Sequence, residues 1–372
     1  MSPVSSKIIF NALLDKNLIV LACNPRIIPG VATGIFLAAK DLDAAIIMEL
    51  ARSECDEKGG YTGLTPLTLS ARLIEANSKI KHDIWALHAD HIGIKTGDDD
   101  EIEATKKLID MQVEAGYTSF AIDASHLFDF DGKTVKDELK PNLDATIKIA
   151  RYIAAKKGDG NFGLEVEVGE IGRTNENGMI LTRPEEAVTF INELEEAGVK
   201  PDVLAIANGS THGNVYDKNG NIIAQVCIDI ERTKAIAKAL RDAGFKVRIA
   251  QHGITGTPLD LIREKFPKGD ILKGNVATLF QNIVFDCIKI HQPGLYERMT
   301  DWVMENKPLP DKGKEEIFGK NGKFAIKQFF NEIYLMDEEC RKDIEQKSYQ
   351  EARNFIEAFN AVNSAALVRK SL

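Results

Sequence analysis

His88-Ala89-Asp90-His91 follows directly on the apolar run Ile84-Trp85-Ala86-Leu87, and two more histidines occupy comparable places in Thr211-His212-Gly213 and Gln251-His252-Gly253. The chain has only seven histidines, so three strand-like runs that each end in one form a pattern. Neutral imidazole is a good zinc ligand, and three protein ligands with one open position are the usual form of a catalytic zinc site. His91, His212 and His252 supply that set if the fold gathers their strand ends. Asp90 would then lie beside the metal, suited either to exchanging a proton with substrate or to orienting a ligand imidazole. His88 and His91 are three residues apart beside Gly93 and outside any helical period, which excludes a helical H-E-x-x-H motif. Asp123 and Glu167 end the next two strand-like runs and could ligate a second or alternate metal position, or form a salt bridge at the rim.

A second chemistry lies close by. Gly213, Gly253, Gly256 and Gly274 fall just past three late strand-like runs, among Ser210, Thr211, Thr255 and Thr278. Backbone N–H groups at glycine turns and helix N-termini cradle anions, so these residues imply a phosphorylated substrate.

These side chains can meet only if their strands are parallel and adjacent. Apolar runs recur at Leu18 to Cys23, Ala45 to Leu50, Ile84 to His88, Ser119 to Asp123, Gly163 to Val168, Val203 to Ala207, Val247 to Gln251 and Asp270 to Lys273. Helical periodicity separates them, at Glu101 to Ala115, Asn142 to Lys156, Pro184 to Ala197, Ile230 to Ala243 and Thr278 to Lys289. Eight βα units predict an α/β fold, a (β/α)8 TIM barrel whose active site lies on the face at the C-terminal ends of the strands. Acidic Asp98 to Glu101 reads as a solvated helix start. After about Pro293 the alternation stops, so residues 1–293 are expected to form the catalytic barrel and 294–372 a helical C-terminal extension. Within it Ala352, Phe355, Ile356, Phe359 and Val362 form an apolar helical stripe. That stripe is expected to pack on the barrel, with a subunit interface as the alternative.

Composition narrows the class. With 372 residues and 44% apolar content the chain can bury a large core. A net charge of −9 disfavours nucleic acid and anionic membranes as partners. Five scattered cysteines without a CxxC pair argue against a disulfide framework and fit a reducing cytoplasm. No apolar stretch approaches the roughly 20 residues that span a bilayer.

From Leu18 to Asp286 the sequence resembles the class II, zinc-dependent fructose-bisphosphate aldolase family. His88-Ala89-Asp90-His91 is similar to the family's H-x-D-H, Ala121 to His126 to its M-I-D-x-S-H, and Leu164 to Gly169 to its E-x-E-x-G. Thr211-His212-Gly213, His252 to Gly256 and Lys273 to Thr278 complete the ordered series. The resemblance implies reversible cleavage of fructose 1,6-bisphosphate to dihydroxyacetone phosphate and glyceraldehyde 3-phosphate without a lysine Schiff base. His91, His212 and His252 would hold zinc or another divalent metal that stabilises an enediolate, with a monovalent cation as a further cofactor. Asp123 and Glu167 match a second metal position, Asp90 would carry the proton of the C4 hydroxyl, and Asn275 would bond the enediolate. Gly213, Gly253, Thr255 and Thr278 would hold the C1 phosphate. On the loop after strand five Glu176 is the nearest candidate for the base that deprotonates dihydroxyacetone phosphate, with Glu170 second. Asn24 is placed among the substrate-binding residues, and Arg52, Arg26 or Arg173 is expected to bind the second phosphate. The chain departs from the family at Ile254, at Ala277 and across Glu49 to Glu54, which bears on the aldehyde half. A tagatose-bisphosphate or other ketose-phosphate aldolase is therefore the alternative, and a metal-dependent barrel hydrolase a distant one. The resemblance also implies a homo-oligomer, a dimer or tetramer.

Overall fold

The computed structural model describes residues 1–158, 160–176 and 178–372. Eight parallel strands close a barrel: β1 (Val20–Cys23), β2 (Ile46–Ala51), β3 (Trp85–Gly93), β4 (Ser119–Asp123), β5 (Gly163–Glu167), β6 (Val203–Ala205), β7 (Arg248–Gln251) and β8 (Ile271–Val276). Each strand pairs with its neighbour in sequence, and β8 closes on β1 with Lys273 opposite Val20 and Asn275 opposite Ala22. The expected (β/α)8 fold is therefore found, with all eight apolar runs in it.

Side chains alternate across a strand, and that period sorts the interior. Val20 and Ala22, Ala45 and Ile47, Ile84 and Ala86, and Val203 and Ala205 pack with Ile9, Phe10 and Leu13 of the helix Ser6–Leu13. This helix plugs the N-terminal end of the barrel, each large apolar side chain buried there stabilising it by about 1.5–3 kcal/mol. Ser6 Oγ lies 2.5 Å from Ser119 Oγ, tying the plug to β4. One more step of the period brings Glu49, His88 and Glu165 into the barrel axis above the plug, all buried. The apolar layer sits beneath, and the polar layer opens toward the strands' C-terminal ends.

The outer helices follow the expected periods. Asp98 caps Asp99–Glu114, its carboxylate accepting the Glu101 N–H at 2.8 Å, so the acidic run is a helix start as read. The helix expected from Asn142 begins earlier, at Val135, where Thr134 and Asp137 form a capping box ahead of Pro141. Two short hairpins in the βα loops lie outside the expected pattern: Thr174–Asn175 with Gly178–Met179 after β5, and Val215–Tyr216 with Ile222–Ile223 after β6.

The C-terminal extension comprises Pro293–Asn306, Lys314–Asn321, several short turns and the long helix Glu338–Ala358. Ala352, Phe355, Ile356 and Phe359 are buried and join the core between barrel and helices. Val362 does not continue that stripe: it follows the helix end and is 41% exposed. The helix lies across Val31–Asp41 so closely that a Cβ on Gly34 would be 2.4 Å from the Glu345 carbonyl oxygen. Among the described residues no helix is long and apolar enough to cross a membrane.

Candidate active site

The strands' C-terminal ends surround a cavity of about 370 Å³. Asp90 and His91 both line it, although neighbours on a regular strand point to opposite faces. The pairing of β3 with β4 shifts between Ala89 and Ile92, and His91 takes a left-handed φ of 38°. This irregularity turns both side chains into the mouth. A non-glycine residue held there carries a local conformational cost, which is common at functional sites. The histidine cluster expected just past the third strand thus lies inside a longer strand and uses a bulge.

The rings of His91, His212 and His252 converge. Their centroids are 5.3 Å apart for His91 and His212, 4.4 Å for His91 and His252, and 6.3 Å for His212 and His252. Three imidazoles bound tetrahedrally at ~2.0–2.1 Å hold their centroids about 5 Å apart; His91 and His252 bring donor atoms within 4.8 Å of each other and of Asp90, while His212 stands outside that group. His252 Nε2 shares a 2.6 Å hydrogen bond with Glu165 Oε1, leaving its other nitrogen as donor. His91 Nδ1 lies 2.5 Å from Glu167 Oε1 and 3.5 Å from Asp123 Oδ2, while the buried Nε2 has no hydrogen-bond partner. A carboxylate on one ring nitrogen with the other left free is how ligand histidines are oriented. His212 is the exposed member at the rim.

Electrostatics favour a cation here. Burial opposes charge on His91, but Asp90, Glu167 and Asp123 outweigh it and raise its pKa well above the usual value. Burial, reinforced by Asp123, pushes Glu167 up to about 8. Asp123 is buried too, yet His91 and a 2.6 Å hydrogen bond from Ser125 Oγ hold it well below the usual carboxylate range. Donor atoms of Asp90, His91 and His252 lie within 4.8 Å of one another, as do those of His91, Asp123 and Glu167. The residues present therefore fit a divalent metal.

Beneath the histidines lies a charged lattice that only partly shows in the sequence. Lys273 Nζ, fully buried, is 2.6 Å from Glu165 Oε2, 2.9 Å from Glu49 Oε2 and 3.8 Å from Asp90 Oδ1. Asn275 Nδ2 donates to Glu49 Oε1 at 2.7 Å and reaches Asp90 Oδ1 at 3.4 Å, and its buried Oδ1 is unpartnered. Burial resists ionisation of Asp90, but His91 and Lys273 prevail and hold it below the ordinary range. His88 lies deeper, its Nδ1 2.6 Å from Ser119 Oγ and its Nε2 3.4 Å from Glu165, so it braces the lattice.

The anion-cradling residues gather as expected: Gly213, Gly253, Thr255 and Thr278 all line the cavity, as does Asn24. Gly253 has φ of 66°, and a Cβ there would be 2.7 Å from the Thr211 carbonyl oxygen, so only glycine fits that turn. Thr278 opens the helix Thr278–His291, whose N-terminal N–H groups face anions favourably.

Three expectations are revised. Arg52 does not line the cavity; its guanidinium donates to the Gly93 carbonyl at 2.7 Å and to Thr105 Oγ1 at 2.9 Å, bracing β3 against the following helix. Its neighbours Ser53 and Glu54 face the cavity instead. Glu176 is exposed beside the hairpin strand Thr174–Asn175 and is not among the cavity-lining residues, whereas Glu170 is, 3.6 Å from His126 Nε2. Arg173 pairs with Glu170 at 3.0 Å and stacks over Phe130.

The sequence motifs contain Glu165 and Lys273, and the departing segment Glu49, without giving any of the three a role, and they do not include Tyr61 or Lys323. A carboxylate or lysine inside an otherwise apolar strand run was the signal for the first three. Tyr61 and Lys323 come from irregular segments, and no period marks them.

The whole chain matches known proteins. Residues 4–363 fit the model for the fructose-bisphosphate aldolase class-II family. A fructose-bisphosphate aldolase of Giardia intestinalis is 26% identical over 232 residues, 61% of this chain and 58% of that protein. One of Helicobacter pylori is 26% identical over 205 residues, 53% of each chain. The match thus spans little more than half the length of these relatives. Among solved structures, the YdjI aldolase of Escherichia coli K12 superposes with a TM-score of 0.59 at 17% identity, over 98% of this chain and 100% of that one. The fructose-bisphosphate aldolase of Campylobacter jejuni does so with 0.60 at 16%, over 98% and 97%. With the family model covering nearly every residue, the chain belongs to the class-II fructose-bisphosphate aldolase family.

Proposed function

We propose that the protein reversibly cleaves fructose 1,6-bisphosphate between C3 and C4, giving dihydroxyacetone phosphate and glyceraldehyde 3-phosphate. The observation that carries this reading is the convergence of His91, His212 and His252 beside Asp90, in a cavity that also holds an anion cradle. The three imidazoles would hold zinc or another divalent metal, with Asp123 and Glu167 as an alternate position; when bound, the metal withdraws electrons from the ketose carbonyl as a Lewis acid.

The chain's own groups do the rest. Gly213, Gly253, Thr255 and Thr278 hold the C1 phosphate, which fixes the carbonyl at the histidines and C4 toward Asp90. The Asp90 carboxylate, kept ionised by His91 and Lys273, takes the C4 hydroxyl proton. As the C3–C4 bond breaks, its electron pair stays with the dihydroxyacetone phosphate fragment and C4 becomes the aldehyde carbonyl. Asn275, held by Glu49, presents its free Oδ1 to the hydroxyls of that fragment. Glu170, which lines the cavity where Glu176 does not, is the candidate to return a proton to C3 and, in the condensing direction, to remove it.

A substrate panel tests this. Fructose 1,6-bisphosphate, tagatose 1,6-bisphosphate and fructose 1-phosphate are offered to the wild type and to Asp90→Ala, with release of dihydroxyacetone phosphate as readout. Fructose bisphosphate is expected to be cleaved fastest by the wild type, and the variant to be silent. A preference for tagatose bisphosphate favours the alternative substrate, in keeping with the departure from the family at Glu49 to Glu54, of which Glu49, Ala51, Ser53 and Glu54 line the cavity. No release from any ketose phosphate removes the reading.

A further inference from the structure

Of the three histidines at the mouth, His212 has the least to hold it. His91 lies in β3 and His252 follows β7, each with a carboxylate on its ring. His212 stands in the segment between β6 and the helix Ile230–Asp242, irregular apart from one short hairpin, and its ring has no hydrogen bond among the described residues. Its placement therefore depends on what anchors that segment.

One side chain there reverses the usual sorting of polar and apolar groups. Gln225 is 1% exposed, while Ile222, Ile223 and Val226 around it are 62%, 44% and 65% exposed. An amide is buried ahead of apolar neighbours only where its hydrogen bonds are met, and those of Gln225 run to the two loops that bear histidines. Its Oε1 accepts the Thr211 N–H at 3.0 Å and the Thr211 hydroxyl at 2.8 Å. Its Nε2 donates to the Gly253 carbonyl and, at 3.4 Å, to the Thr255 carbonyl, and its backbone N–H donates to the Gly256 carbonyl at 2.9 Å. Thr211 directly precedes His212, and Gly253 directly follows His252. On the other side of His212, Asn214 Oδ1 accepts from Asn282 Nδ2 at 3.0 Å.

Resting on the reading of His91, His212 and His252 as the metal site, we infer that Gln225 is a positioning residue: its amide staples the loop after β6 to the loop after β7 and so sets His212 against His252. Gln225 does not line the cavity, so it acts through the histidine and not on the substrate. An amide suits this span because its oxygen accepts from Thr211 while its nitrogen donates to the Gly253 and Thr255 carbonyls. With Thr211 released, His212 would be held from the Asn214 side alone.

The test is the affinity of the full chain, freed of metal, for zinc, read by competition with a chromophoric chelator in Gln225→Leu, His212→Ala and the double variant. Gln225→Leu is expected to weaken binding about 10- to 100-fold. Added to His212→Ala it should weaken binding no further, since the amide acts through that histidine. Unchanged affinity in Gln225→Leu, or losses that add in the double variant, overturn the inference. Thr211→Val removes one bond of the staple and should lose less than Gln225→Leu, with Thr211→Ser close to the wild type; if the leucine variant does not fold, full affinity in Thr211→Val overturns the inference instead. Visible spectra of the cobalt-loaded chain give a second readout. Gln225→Leu should move toward the His212→Ala spectrum, and a wild-type spectrum would count against the staple. Neither measurement involves turnover, so a wild type that binds metal but cleaves no ketose phosphate keeps the staple and loses the reaction. If His212→Ala binds zinc as tightly as the wild type, the staple has no ligand to position and the inference falls, whether or not fructose bisphosphate is cleaved.

Discussion

Asp90 and His91 owe their shared orientation to one residue's backbone. The left-handed φ of His91 at the irregularity in β3 brings a carboxylate and an imidazole to the same cavity, and His91 and Lys273 then hold the carboxylate ionised. Asp90→Asn keeps size and removes the proton acceptor, so kcat should fall by about 10²- to 10⁴-fold while bound metal stays near wild-type level. Loss of metal together with activity would assign Asp90 to ligation. Glu165 carries a different expectation. It holds His252 Nε2 and Lys273 at once, so Glu165→Gln should weaken metal affinity by about 10- to 100-fold, read by competition with a chromophoric chelator; unchanged affinity would make Glu165 a purely structural group. At this scale the histidines were legible because each closes an apolar run, and Gly213, Gly253, Thr255 and Thr278 because turn chemistry marks them. Glu165 and Lys273 were hidden inside strands, where a charge is tolerated only with partners that sequence does not reveal. Arg52 misled because one step along the chain separates a side chain facing the cavity, Ser53, from one facing the loop behind it.

The elements were legible where their period is long. All eight strand runs and the outer helices stand close to where alternation put them, but strands and helices differ in their ends. The helix Val135–Lys157 starts seven residues before its apolar period, where the capping box at Thr134 and Asp137 secures the first turn ahead of Pro141. The hairpins after β5 and β6 are two residues per strand and mostly exposed, too short to show a period. Helix contact gives a test of packing: Gly34→Ala would drive a Cβ into the Glu345 backbone, for an expected loss of about 1–3 kcal/mol, measured by chemical denaturation; an unchanged midpoint would mean that the Glu338–Ala358 helix is only loosely seated. A second test concerns the last helix, Ser364–Arg369, whose Arg369 bonds Asp83 at 2.6 Å and Asp43 at 2.7 Å. The hydrogen bond from Arg369 lowers the Asp83 pKa, so this contribution is fully present above the unfolded-state value and lost as pH falls through the folded one. These groups are a third or more exposed, which limits the pair to about 0.2–1 kcal/mol. Arg369→Ala should therefore cost that much at pH 7 and progressively less as acid protonates Asp83; a cost that does not shrink in acid would trace the effect to packing.

The molecule as a whole joins a barrel to an extension that both covers it and reaches its site. Phe355, Ile356 and Phe359 share the core with the barrel helices, and Lys323 enters the cavity from the same extension. We propose that residues 1–293 and 294–372, separable by sequence pattern, unfold as one cooperative unit. Calorimetry should give a single transition that a divalent metal moves upward, and two transitions would restore the division. Subunit association, expected as a dimer or tetramer, is measured by sedimentation.

The central claim is that catalysis depends on an ion held by His91, His212 and His252 and on no covalent lysine intermediate. Its most direct measurement is cleavage of fructose 1,6-bisphosphate after dialysis against a chelator, after return of zinc, and after borohydride reduction in the presence of substrate. Activity should vanish on dialysis, return with about one zinc per chain, and survive borohydride; activity that persists without metal, or is lost to borohydride, would contradict it.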